Sequence, residues 1–306
     1  MDKRVIKIYG ASLLFSMLVG FSFISLKSVT DSATTLEILT YRYNFAFLGT
    51  LFLAAKMKNR IRFRGREKKS IFYTALFYIG FMVLQAVGLI YTTSIVSGII
   101  FALIPIIAKV IAGFFLGEQS TGVQNAFVLL SVGALILMIV LDSGEIDANL
   151  YGILLLLLSS TSMAVSNVYM RYVRKIYSPL EISFAISLLG FSTFNLATVG
   201  KGIIQGNLSD YFLPAESSTF IFATAYLGIF CTLLTAFLIS YMLANLEAVK
   251  ATIFGNLSTA ISLVAGAIVL SEPLEWYHVF CTGLIIAGVV GVSLSGMKKG
   301  AKGGIS

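Results

Sequence analysis

Apolar residues run through this chain in ten long stretches separated by short polar breaks: Ile6 to Leu26, Leu36 to Ala55, Ile71 to Tyr91, Ser94 to Leu116, Gln124 to Leu141, Tyr151 to Tyr169, Leu180 to Val199, Thr219 to Met242, Ala248 to Leu270 and Trp276 to Leu294. About 20 helical residues cross a hydrocarbon core. Each stretch therefore predicts one membrane-spanning helix, here segments 1 to 10, and the fold class is an all-α membrane protein. Segment 1 follows Lys3, Arg4 and Lys7 as a secretory leader would, but it is too long and lacks a small-residue cleavage site. It is expected to stay as a helix.

Composition agrees with the pattern. The 306 residues are 58% hydrophobic and 12% charged, with a mean hydropathy of +0.92, whereas soluble domains carry about a quarter charged residues. A net charge of +8 would suit a nucleic-acid partner, but 17 of the 22 Lys and Arg fall in Lys3 to Lys7, Lys56 to Lys69, Arg171 to Lys175 and Lys298 to Lys302. These stretches alternate onto one side, which the positive-inside rule makes cytoplasmic. Both termini are expected there, and the Lys56 to Lys69 loop reads as a topology determinant with no nucleic acid bound. Cys231 and Cys281 lie within apolar segments and read as small packing residues.

The chain is also written twice. Leu36-Glu37-Ile38 recurs as Leu180-Glu181-Ile182, and Lys27 matches Arg171 at the same offset. Leu116-Gly117-Glu118 recurs as Leu270-Ser271-Glu272 with ten residues more between the copies, the excess falling around the 201–217 loop and segment 8. Each repeat, 1–142 and 143–306, holds five segments. Because five is odd, the second copy enters the membrane from the opposite face, giving an inverted repeat. Two such bundles can open a central site to one side and then the other.

Interrupted helices at matching positions point to that site. Pro105 in segment 4 lacks an amide hydrogen and frees the carbonyl of Phe101. Carried over by 154 residues, Phe101 lands on Gly255, next to Asn256 in segment 9. Pro105 and Gly255 are the expected hinges.

Two cations lie inside apolar segments that contain no deep acid. Arg42 stands about six residues into segment 2, roughly 9 Å below the outer boundary. It reads either as a substrate anchor or as a guanidinium bonded to helix-end carbonyls or Glu37. Lys109 lies roughly 10 Å from the cytoplasmic end of segment 4; it either snorkels or faces the bundle to hold a carboxylate or phosphate. Lys250 is expected to snorkel, and His278 beside Trp276 to act as an interfacial anchor. Ser159, Ser162 and Ser166 with Asn167 make a polar stripe on segment 6. Gln85, Asn256 and Tyr241 add hydrogen-bonding groups, and Tyr41 and Tyr78 supply flat, partly polar walls. No His, Cys or carboxylate cluster has metal-ligand spacing, no loop cradles phosphate and no nucleophile has a base. No cofactor and no enzyme activity are expected.

Val19-Gly20 with Lys27, Arg42, Tyr91-Thr92, Pro105 with Leu116-Gly117-Glu118, then Leu270-Ser271-Glu272, Gly283 and Gly288 resemble, in order and spacing, the EamA-type branch of the drug/metabolite transporter superfamily. Val19 and Thr259 depart from the Trp and Pro that the family often has there. The resemblance implies ten helices in two inverted five-helix repeats, a central cavity lined by segments 1 to 4 and 6 to 9, and segments 5 and 10 at the periphery. It also implies outward movement of amino acids, other small metabolites or drugs.

The reading is a plasma-membrane carrier of prokaryotic type, monomer or homodimer among membrane lipid, exporting a small carboxylate-bearing solute, an amino acid foremost. Arg42 or Lys109 would hold the carboxylate, with Gln85, Ser166, Asn167, Asn256, Tyr41, Tyr78 and Tyr241 around it. Sugar phosphates and drug-like solutes are the alternative substrates. A channel-like or structural membrane protein with structural cations is the alternative class.

Overall fold

A computed structural model describes residues 3–30, 32–56, 61, 63, 66–88, 90–91, 100–118, 120–142, 149–269 and 275–295. Thr92, the expected start of segment 4 at Ser94, Leu270-Ser271-Glu272 and the Lys298 to Lys302 tail lie outside these residues, as does the side chain of Lys27. Among the described residues all regular structure is helical. In chain order come α1 (Lys3–Thr30), α2 (Thr35–Lys56), α3 (Lys68–Gly88), α4 (Ile104–Leu116), α5 (Gly122–Asp142), α6 (Leu150–Val173) and α7 (Pro179–Gln205). After two short 3-10 turns, Leu208–Tyr211 and Leu213–Glu216, follow α8 (Ser218–Asn245), α9 in two pieces (Ala248–Thr252 and Phe254–Val269) and α10 (Trp276–Ser295). Six helices, α1, α3, α6, α7, α8 and α10, are long and apolar enough to cross a membrane.

Local chemistry sets the helix ends. Ser178 and Glu181 form a reciprocal capping box at the start of α7, with Pro179 in its first turn. Gly117 and Gly206 close α4 and α7 at φ of +65° and +72°, where an L side chain would be strained.

The pairing of helices carries the duplication into three dimensions. α3 packs on α6, α1 on α9 and α8, α4 on α6, and α2 on α8 while α3 packs on α7. Exchanging each helix for the one five places on maps α1–α9 onto α6–α4, α1–α8 onto α6–α3, and α2–α8 onto α7–α3. The pairs α2–α7, α4–α9 and α5–α10 map onto themselves. Large apolar side chains such as Phe52, Phe114, Phe115, Ile204 and Phe222 point outward, as an exterior solvated by acyl chains requires.

The two ends of the bundle differ. At the basic end, Arg66 from the α2–α3 connection grips Glu181 at the head of α7 with 3.0 and 3.1 Å bonds. Arg4 there donates to Asn245 at the tail of α8, and Tyr9 to the carbonyl of Ser293. At the opposite end, Thr40 of α2 meets Thr198 of α7 at 2.7 Å, and Tyr91 packs edge-on against Tyr151.

Close approach of α2 and α7 depends on one glycine. A Cβ on Gly190 would fall 2.1 Å from the Tyr43 ring, and that ring is fully buried against Phe194, 5.1 Å between centroids. Gly190→Ala is expected to lower stability by about 3 kcal/mol, the upper part of the overpacking range. Thermal unfolding in detergent checks this, and an unchanged midpoint would count against tight α2–α7 packing.

Both expected hinge helices are broken. α4 restarts at Ile104 after a turn at Ala102–Leu103, and α9 restarts at Phe254 after a turn at Ile253. Pro105 and Gly255 each hold the second position of the restarted helix, so the break precedes them. Proline's fixed φ suits a first helical turn, where its missing N–H costs nothing.

Two expectations about side chains change. Lys250 does not snorkel: it is 8% exposed and its Nζ lies 3.3 Å from Glu247 one turn away. His278 is buried, and its Nδ1 accepts the Glu275 amide at 3.0 Å, closing the start of α10 in place of acting as an exposed anchor.

Candidate functional site

Midway along α8 the helix widens into a π turn at Ile229–Leu234. Such a turn displaces backbone bonds, and two threonines absorb the change. Thr232 donates its hydroxyl to the Leu227 carbonyl at 3.0 Å, and Thr235 to the Cys231 carbonyl at 2.8 Å. Gly228, one residue before the turn, lies so close to α2 that a Cβ there would meet the Arg42 carbonyl at 2.4 Å. The π turn is thereby pressed against Arg42.

The Arg42 guanidinium takes up what the turn offers. Its Nε donates to Thr232 Oγ1 at 2.6 Å and its Nη2 to the Cys231 carbonyl at 3.2 Å. Glu37 is otherwise engaged, accepting the Thr34 amide at 2.8 Å. Among the described residues no carboxylate pairs with Arg42. Phenol groups share its neighbourhood: Tyr43 from α2 and Tyr78 from α3 are buried and within electrostatic reach of the guanidinium and of each other. The Tyr43 hydroxyl has no hydrogen-bond partner among the described residues. A half-buried cation bonded to one neutral hydroxyl and one carbonyl suits an incoming anion, since among the described residues its charge is matched by no carboxylate.

Lys109 stands elsewhere. It lines a small cleft at the basic end together with Glu118, Ser120 and Glu247. Below that cleft one ion pair ties four helix ends. Arg171 at the tail of α6 meets the Glu118 carboxylate and donates to the carbonyls of Leu243 and Leu246 that end α8. The second Glu118 oxygen accepts the amide of Ala248 at 2.9 Å, capping α9. Gln124 at the head of α5 joins through Glu247, 3.2 Å away.

The remaining sequence candidates are spread through the bundle. Ser166 donates to the Thr74 carbonyl at 2.8 Å and fastens α6 to α3. Asn256 reaches Ser131 at 3.3 Å and fastens α9 to α5. Asn167 is buried with its Oδ1 unpartnered among the described residues, while Gln85 on α3 and Tyr241 on α8 are half-buried. Tyr41 points to the non-basic end, edge-on to Phe220, with its hydroxyl on the Tyr211 carbonyl at 2.9 Å.

Three features escaped the sequence reading. Thr232 gives no compositional sign of a π turn. Glu118 and Arg171 were visible as repeat matches, and their shared recurrence was the signal that they act as a pair. Tyr211 lies in the 201–217 stretch, around which the second repeat is ten residues longer. Its hydroxyl donates to Asn195 at 2.7 Å and accepts from Asn44 at 2.8 Å, and Asn195 donates to Asn44 at 2.6 Å, closing a ring across α2 and α7.

Comparison with known proteins places this arrangement. The EamA-like transporter family matches residues 6–140 and again 150–294. A Bacillus subtilis protein named uncharacterized transporter YcxC is 34% identical over 303 residues, covering 97% of this chain and 96% of the relative. An uncharacterized transporter of Archaeoglobus fulgidus is 25% identical over 88% of this chain and 92% of its own length. A solved crystal structure superposes with a TM-score of 0.80 at 12% identity, covering 95% of this chain and 98% of that one; it shows a shared fold.

Proposed function

The chain belongs to the EamA-like transporter family of the drug/metabolite transporter superfamily, and from that premise we propose that this membrane transporter exports a small carboxylate-bearing metabolite, an amino acid foremost, across the plasma membrane. Movement is by alternating access of two inverted repeats, 1–142 and 143–306, with ten crossings and the basic end in the cytoplasm. The observation that carries the substrate class is Arg42. Its bonds run from the first repeat to the π turn of the second, and its partners there are the neutral Thr232 hydroxyl and the Cys231 carbonyl where a structural cation would be expected to hold an acid. A singly charged planar anion fits that setting. Lys109, by contrast, shares its cleft with Glu118 and Glu247, so Arg42 is the anchor. The Glu118–Arg171 junction closes the cytoplasmic end in this conformation. Helix pairs that interchange under the five-place shift support two related conformations of one bundle.

Purified protein is to be screened by thermal shift against amino acids, organic acids, sugar phosphates and quaternary amines, since a ligand that binds only the folded form raises its apparent stability. Solutes that stabilise are then tested in proteoliposomes. Unlabelled amino acid on the far side should accelerate uptake of labelled amino acid. Stabilisation only by phosphates or amines would reject the carboxylate class, and uptake indifferent to the far side would favour a channel.

A further inference from the structure

We infer that Thr232 is a positioning residue that sets which edge of the Arg42 guanidinium faces the substrate, and so makes the site selective for a planar two-oxygen anion. The inference rests on the reading of Arg42 as anchor and adds the element that aims it. A guanidinium has five N–H donors in one plane. Thr232 Oγ1 takes the Nε hydrogen at 2.6 Å, and the Cys231 carbonyl takes one Nη2 hydrogen at 3.2 Å. Both acceptors lie along the Nε–Nη2 edge. Left over are the second Nη2 hydrogen and the two on Nη1, of which one from each nitrogen forms the end-on fork that matches two carboxylate oxygens.

Thr232 can only accept in this contact. Its own proton is committed to Leu227 across the π turn at 3.0 Å, so its lone pair is turned outward toward α2. Gly228 holds the backbones close enough for the contact to form. A hydroxyl suits this role better than a carboxylate, because it orients the guanidinium without neutralising it, and the positive charge stays available to the substrate.

The test reads Arg42 itself, with acetate as the probe. In the purified full-length protein in detergent, phenylglyoxal modification of Arg42 is followed by peptide mass spectrometry over a range of acetate concentrations. Wild type, Thr232→Val, Thr232→Ala and Thr232→Ser are compared, each first shown to elute as a single folded peak; Ala stands in if Val does not fold. Acetate is expected to protect Arg42 in wild type and in Thr232→Ser within twofold of each other. Val and Ala should need about tenfold more acetate for half protection, the size of one lost hydrogen bond to a charged group. Absence of protection in wild type would overturn the anchor reading and this inference together. Equal protection in all four proteins would leave the anchor standing and overturn the role of Thr232. Loss in Ser as well as Val would also overturn it, because the hydroxyl would then not be the operative group.

Discussion

Arg42→Met is expected to reduce transport of the stabilising amino acid at least about a hundredfold, the loss of a charge-assisted, two-bond contact worth about 3 kcal/mol, while the folded protein survives. The two halves of this expectation have separate grounds. Methionine matches the stem of arginine and offers nothing to an anion. On the protein side, neither partner is orphaned. The Thr232 hydroxyl keeps its bond to Leu227, and the Cys231 carbonyl keeps its bond from Thr235. Stability should therefore change by no more than about 1 kcal/mol. Arg42→Lys should restore little, because an ammonium is a point charge without a planar fork. Counterflow rates and thermal midpoints measured on the same preparations check both halves. Retained transport in Arg42→Met would remove the anchor.

The opposite balance holds at the basic end. Arg171→Met should destabilise the protein by about 2 kcal/mol and lower its melting midpoint, because here removal does leave partners stranded. Glu118 loses its cation, and the final carbonyls of α8 at Leu243 and Leu246 lose a donor. A broken buried pair typically costs more than this, but the side chains of Arg171 and Glu118 are 25% and 17% exposed, so water compensates in part. Glu118→Gln should be milder, since the remaining carbonyl oxygen can still accept the Ala248 amide that caps α9. Arg171→Met should also raise the reactivity of a cysteine introduced at Ser120, in the cleft above the junction, toward a water-soluble maleimide. An unchanged midpoint together with unchanged reactivity would show that the junction does not close this end.

Arg42 could be found without coordinates because a charge amid apolar residues is costly wherever it faces, and cost is readable from composition alone. The repeat was legible for a similar reason: Leu36-Glu37-Ile38 and its copy survive as strings. What decides Arg42's orientation was not legible. A π turn at Ile229–Leu234 comes from a balance among backbone bonds, threonine hydroxyls and the close approach at Gly228, and each of those residues taken singly is ordinary in a membrane helix. Lys250 shows the complementary limit. Its sequence position near a helix start suggested an exposed ammonium, but Glu247 lies one turn back and Lys250 is buried beside it, while Glu247 itself stays partly exposed. Asn256 and Ser166 read as cavity lining by residue type, and the bonds they make to Ser131 and Thr74 across neighbouring helices could not be read from residue type alone.

The interchangeable helix pairs have an energetic corollary. If the carrier alternates as proposed, the helix pairs that have twins under the five-place shift would keep its two orientations close in free energy, so that the binding free energy of one small solute could tip between them. Resting preference is then decided where the copies disagree. Of the ring formed by Tyr211, Asn44 and Asn195, Tyr211 comes from the 201–217 stretch where the second copy is longer, so shortening that stretch is expected to shift the idle population without touching the solute's own contacts.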